Sequence, residues 1–260
     1  MKRIIINSTL FIALIFAASC RRDNLPCING KGSITTVTRT ISDFKSVEFQ
    51  TEGTVYISQG SNFEVKIEAQ QNIIDDMQTE LNGTELKIYN RHCIRNHDQI
   101  KVYITMPSLE RVDLSGSGAI IVQSKFESDN MYVNVSGSGD IEIQDSIIAN
   151  DVTVHISGSG NIKLLAYCTS FEGKISGSGN ITASGSATNE LLSVSGSGDL
   201  HLFDLLSSVS DVSISGSGNT EINVADNLDV SVSGSGDVYY KGNPTITSHN
   251  SGSGNLIHVN

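Results

Sequence analysis

The chain has 260 residues, 38% of them hydrophobic and 17% charged, and its 28 acidic against 17 basic side chains give a net charge of −11. That balance excludes a nucleic-acid binder, which needs clustered cations to displace the counterions of a phosphate backbone. Most of the 24 glycines fall in one repeated phrase, which argues for an array of stacked units rather than separate domains.

Residues 1–19 read as a signal peptide. Lys2 and Arg3 open it, residues 4–16 are mostly apolar, and Ala17, Ala18 and Ser19 form a small-residue stretch. The apolar run is too short for a spanning helix with retained flanks. Small residues directly before Cys20 resemble the lipobox of bacterial lipoproteins. That resemblance implies cleavage before Cys20, lipidation of its thiol and attachment to a membrane through the lipid. Residues 20–32, with Pro26 and two glycines, then form a tether. Cys27, Cys93 and Cys168 remain, and an oxidising compartment permits one bridge. Cys27–Cys93 is the preferred pairing because both lie in irregular polar segments, leaving Cys168 a free, buried thiol. No cysteine spacing matches a zinc site.

Residues 33–111 are β-rich but irregular. Residues 47–49, 55–57, 63–69, 86–89 and 100–105 alternate apolar and polar. Gly53-Thr54-Val55-Tyr56-Ile57 looks like a degenerate copy of the later repeat, and residues 63–67 match its second strand. These segments are expected to wind as coils continuous with those that follow. Within them Ile73, Ile74, Met77 and Leu81 recur at helical spacing, so residues 71–81 are expected to form one short amphipathic helix capping the open end. His92, Cys93 and His97 sit in a polar loop over 91–98 that lacks a fourth metal ligand.

Residues 112–260 carry the phrase Ser-Gly-Ser-Gly eight times, starting at Ser115, Ser136, Ser157, Ser176, Ser195, Ser215, Ser233 and Ser251. The starts are 18 to 21 residues apart. Around each phrase the period-two alternation does not break: in 133–143 the valines, isoleucines and glycines share one face, and the serines share the other. Glycines on the inner face allow two backbones to approach closely or a strand to bend. A coil of this length cannot bury its own apolar face, but stacked coils can, each strand pairing about 4.8 Å above and below its equivalents. The expected fold is all-β: one parallel β-solenoid over 33–260 with coils of about 20 residues, a right-handed β-helix being the favoured form. A β-sandwich is the lesser alternative, since hairpin turns would break the parity.

After each phrase but the first comes a short polar residue: Asp140, Asn161, Asn180, Asp199, Asn219, Asp237 and Asn255. Three aspartates among seven carry too little negative charge for a calcium ladder, so these read as a structural ladder. No metal or other cofactor is expected. Asp145-Ser146-Ile147 resembles a three-residue O-glycosylation acceptor, with Ser146 expected in an exposed turn. The region has sixteen acidic residues, no arginine and four scattered lysines, Lys125, Lys163, Lys174 and Lys241. A polysaccharide lyase would need cations. A hydrolase would need two carboxyls at a fixed gap, and Asp140 and Asp199 lie three coils, about 14 Å, apart. Segments 164–173 and 204–211, where the repeat is broken, are where an enzyme cleft would form. No residue is assigned as catalytic.

The lipobox, the N-terminal β region, the short helix and the phrases Gly139-Asp140-Ile141, Gly160-Asn161-Ile162 and Gly179-Asn180-Ile181 together resemble the putative auto-transporter adhesin head GIN domain family. The resemblance covers about residue 40 to the C-terminus. It implies a β-helical domain of the bacterial envelope and brings no catalytic residues with it. The expected function is that of a non-catalytic envelope lipoprotein at the outer membrane that binds or scaffolds, with adhesion its most specific form. Carbohydrate or an envelope protein would be the partner. A polysaccharide-active β-helix enzyme, hydrolase sooner than lyase, is the alternative.

Overall fold

The computed structural model describes residues 26–260; the segment read as a signal peptide and Cys20 lie outside the described residues. The chain forms a parallel β-solenoid of about seven turns, with coils of about 20 residues. Each regular coil presents three strands to its neighbours, and the same register position recurs from coil to coil. Ahead of the Ser-Gly-Ser-Gly corner, Val47, Val112, Val133 and Val154 stack inward. Behind it, Val55, Ile120, Ile141, Ile162, Ile181 and Leu200 form a second column. Phe126, Ile147 and Ala166 begin a third. All of these side chains are buried. Each branched aliphatic contributes about 1.5–3 kcal/mol by leaving water, which no single coil could obtain alone.

The corner explains the repeated phrase. Its serines are exposed, its first glycine is half-buried and its second is buried from the Ser115 copy through the Ser233 copy. The Ser159 N–H donates to the Gly137 carbonyl of the preceding coil at 3.0 Å, and the Ser178 N–H repeats this on Gly158. A Cβ built on Gly158 would overlap the Gly137 carbonyl oxygen, and one on Gly160 the Gly139 oxygen. No glycine of the repeated phrase has a positive φ. Close approach of successive backbones, rather than a left-handed turn, demands glycine here. The serine-out, glycine-in alternation read from the sequence is the one observed, and the sandwich alternative falls with it.

The N-terminal part departs from simple winding. Strand Thr54–Gln59 does stack as a copy of the repeat, with Val55 and Ile57 opposite Ile120 and Val122. The expected second strand around residues 63–67 does not. Strand Glu64–Gln70 turns back and pairs antiparallel with both Lys101–Met106 and Ile34–Arg39. The coil formed by Glu85–Asn90 and Lys101–Met106 lies outside the earlier coil of Ser46–Phe49 and Thr54–Gln59. Strands Arg111–Leu114 and Ala119–Val122 stack on that coil's other side. Spatial order along the axis is therefore not chain order.

The helix is shorter than its periodicity suggested. It spans Gln71–Asp76, and Met77–Asn82 is a strand paired antiparallel with Glu85–Asn90 through a two-residue loop, with Gly83 at φ 65°. Ile73, Ile74 and Met77 are buried as the spacing requires, but Leu81 is 43% exposed because it belongs to the hairpin. The helix packs against Ile34–Arg39, Glu64–Gln70 and Met77–Asn82 and so plugs the N-terminal end of the core. Among the described residues no helix is long and apolar enough to cross a membrane.

Candidate functional site

The ladder of Asp and Asn behind the corner is built from one repeated bond. Asp140 Oδ1 accepts the backbone N–H of Asn161 at 2.8 Å, and Asn161 Oδ1 accepts that of Asn180 at 3.1 Å. The pattern continues to Asp199, Asn219, Asp237 and Asn255. What each position needs is a carbonyl-like oxygen on a short side chain, which Asp and Asn both supply. The mixture of the two is thereby explained structurally. The ladder carboxylates Asp140, Asp199 and Asp237 are engaged in holding the next coil. Among the described residues no three His, Cys, Asp or Glu side chains gather as a metal site.

A groove of about 350 Å³ opens where the N-terminal cap meets the start of the serine column. Gln50, Thr51, Asn90, Ser115, Ser117 and Ser138 supply uncharged donors and acceptors to its wall, with Glu52 and His92 also lining it. The cap side is anchored by Asp76, which is buried at the end of the helix. Its Oδ1 meets His92 Nδ1, and its Oδ2 accepts from Asn90 Nδ2 at 3.1 Å and from the His92 N–H at 3.1 Å. Burial pushes the Asp76 carboxyl up, but the His92 and Asn90 hydrogen bonds outweigh it and hold the group below the usual carboxylate range. An ionised Asp76 fixes His92 with its proton on Nδ1 and leaves Nε2 for other contacts. Thr51 Oγ1 donates to Asn90 Oδ1 at 2.9 Å, carrying the network to the first coil.

The floor beside His92 is tied down from the N-terminal segment. Cys27 and Cys93 are joined with their Cα atoms 4.5 Å apart, and Ile28–Asn29 pairs in parallel with Ile94–Arg95. Residues 26–32, expected to be free tether, are therefore partly built into the cap. His97, in the polar loop, donates from Nε2 to Glu52 Oε2, 3.1 Å away. Burial lowers its pKa, but bonds to the Asp98 carbonyl and Glu52 raise it above the ordinary histidine value overall.

Ser146 is not in an exposed turn. It is 8% exposed, sits within strand Asp140–Ile156, and its N–H and hydroxyl both turn to Asp145 Oδ1, at 2.7 and 3.3 Å. The apolar Ile147 beside it belongs to the third core column, which draws the segment into the wall. Cys168 is free and only partly buried; burial pushes its thiol up to about 11. Of the groove residues, the serines of the repeated phrase and His92 of the polar loop stand out in the sequence, but Gln50, Thr51 and Asn90 do not. Thr51, Asp76 and Asn90 carry no motif and are brought together only by the non-sequential coil order.

The family described as "Putative auto-transporter adhesin, head GIN domain" matches residues 43–165 and, a second time, 134–244. No curated protein matches the chain. Among solved structures, a "putative adhesin" from Parabacteroides distasonis superposes with a TM-score of 0.86 at 22% identity, over 90% of this chain and 100% of that one. A "putative adhesin" from Parabacteroides merdae gives 0.86 at 22% identity, over 90% and 99%. A "putative lipid binding protein" from P. distasonis gives 0.83 at 24% identity, over 90% and 100%. At these identities the likeness is one of fold.

Proposed function

This chain belongs to the putative auto-transporter adhesin, head GIN domain family, and from that premise we propose that it is a non-catalytic binding module of the bacterial envelope. Its ligand is held in the groove between cap and serine column. The observation that carries this reading is the groove's lining of uncharged hydroxyl and amide groups from Gln50, Thr51, Asn90, Ser115, Ser117 and Ser138. Such a wall suits a neutral, hydroxyl-rich glycan, whose many weak hydrogen bonds need matched donors and acceptors. The net charge of −11 disfavours anionic glycans by long-range repulsion. The adhesin-like family points to the cell envelope or surface.

The test is a glycan screen with the protein lacking residues 1–25, run beside hydrolase and lyase assays. Neutral glycans should bind, and Asn90→Ala or Ser117→Tyr should weaken them. Turnover of a bound glycan that a single carboxylate substitution abolishes would defeat the non-catalytic reading. Neutral vesicles belong in the same screen, because one fold relative is described as lipid binding.

Anchoring is part of the proposal. Cys20 carries the lipid, and residues 21–25 lead from it to the cap at an outer membrane. Cys20→Ala should yield an unprocessed or soluble form. Unchanged membrane fractionation with no change in mass would overturn it.

A further inference from the structure

Outward positions of a solenoid wall face water and gain nothing by being apolar. On the second face of the same middle coils they are polar or charged: Glu142, Lys163, Thr182, His201 and Glu221 follow one another in register, with Ile121 and Tyr239 flanking the run. On the third face one outward column runs Ile148, Tyr167, Ser186, Leu206. Ile148 is 39%, Tyr167 45% and Leu206 51% exposed. Around the adjoining corner Leu191 and Val209 are exposed as well. Five of the nine large exposed hydrophobics among the described residues therefore lie on the third face or around the corner that follows it. Clustering of that kind marks an interaction surface, whereas scattered single residues would not.

The column has a shape. Ser186, with Ser184 and Gly185 beside it, lies between the coil of Tyr167 and the coil of Leu206. The taller side chains stand two strand spacings apart, roughly 10 Å, with the small Ser186 between them. The surroundings are acidic: Asp145, Asp151, Asp204, Asp211 and Asp226 are all exposed. Across residues 140–232 there are twelve acidic residues and two lysines, Lys163 and Lys174. Like charge disfavours a second copy of this face, and it equally disfavours an anionic membrane.

We propose that this third-face surface docks an extended, positively charged segment of a partner protein. Apolar side chains of the segment would sit between Tyr167 and Leu206, and its lysines or arginines would meet the surrounding aspartates. The surface is separate from the groove at the cap, so neither reading depends on the other.

The probe is a capped peptide of alternating lysine and valine, titrated against the protein lacking residues 1–25 by fluorescence anisotropy. Binding should weaken with salt and fall by about tenfold or more in Tyr167→Ser/Leu206→Ser, as the loss of exposed anchor side chains at an interface implies. Asp204→Asn/Asp226→Asn should weaken it and flatten the salt dependence. A glutamate–valine peptide should not bind. Circular dichroism of each variant checks that the fold is intact. Failure of the lysine–valine peptide to bind would overturn the proposal. Equal binding of a lysine–serine peptide, or an unchanged affinity in Tyr167→Ser/Leu206→Ser, would also overturn it. Association of the protein with itself or with neutral vesicles, lost in the same variant, would assign the face to those occupants instead.

Discussion

Glu190 occupies the inward column that Val152 and Phe171 hold in the two preceding coils. It is 3% exposed; Ser207 donates to its Oε2 at 3.0 Å, while Oε1 has no partner. Burial pushes its carboxyl from the ordinary 4.5 up to about 7. A raised folded value means the group favours the fold most below pH 4.5 and loses that contribution as pH rises toward 7. Above that the loss is about 3 kcal/mol by linkage. Glu190→Gln should therefore remove a component of pH dependence. In denaturant titrations the stability difference between variant and parent should grow from pH 4.5 to 7 and then level off; a pH-independent difference would contradict it. At the corner, Gly158→Val must push a branched side chain into the Gly137 carbonyl. It should cost about 3 kcal/mol, the upper range for overpacking, while Ser159→Val, on the wet side, should cost less than about 0.5 kcal/mol.

At the scale of elements, the regular strands were legible because one rule, alternation with glycine held inward, repeats eight times and each copy corroborates the others. The N-terminal elements lacked that redundancy. Met77 and Leu81 satisfied a helical period by coincidence with a hairpin. The better signal was local: Asn82-Gly83 followed by the alternating residues 85–90 is a hairpin phrase, and it overrides weak periodicity. Burial separates the two readings. Ile74→Ala, in the plug, should cost about 3 kcal/mol as a cavity in the core. Leu81→Ala, on the exposed hairpin, should cost less than about 0.5 kcal/mol. Equal costs in chemical denaturation would restore the longer helix. The groove was illegible for a related reason. Its side chains come from the first coil, the end of the hairpin, the loop that follows it and the corner, and nothing in the sequence states that residues 85–106 stack outside 46–59.

At the scale of the molecule, the stack is a rod entered from one end. The chain arriving from Cys20 meets the fold at Cys27, which is bridged to Cys93 across a sequence separation of 66. Tension applied through the N-terminus of a surface-bound protein would therefore bypass everything between those cysteines. The helix plug, the hairpin and the first coil would carry no pull along their backbone, and the load would pass directly to residues after 93. Strand Ile94–Arg95, paired with Ile28–Asn29, is the first element to bear it, and Lys101–Met106, held on one side by Thr54–Gln59 and on the other by Glu64–Gln70, is the next. Single-molecule pulling should show this as length. With the bridge reduced, unravelling should release up to about 230 Å more chain than with it intact, at roughly 3.5 Å per residue. The bridge at the cap would thus set how much of the chain can extend under load before residues beyond the groove give way.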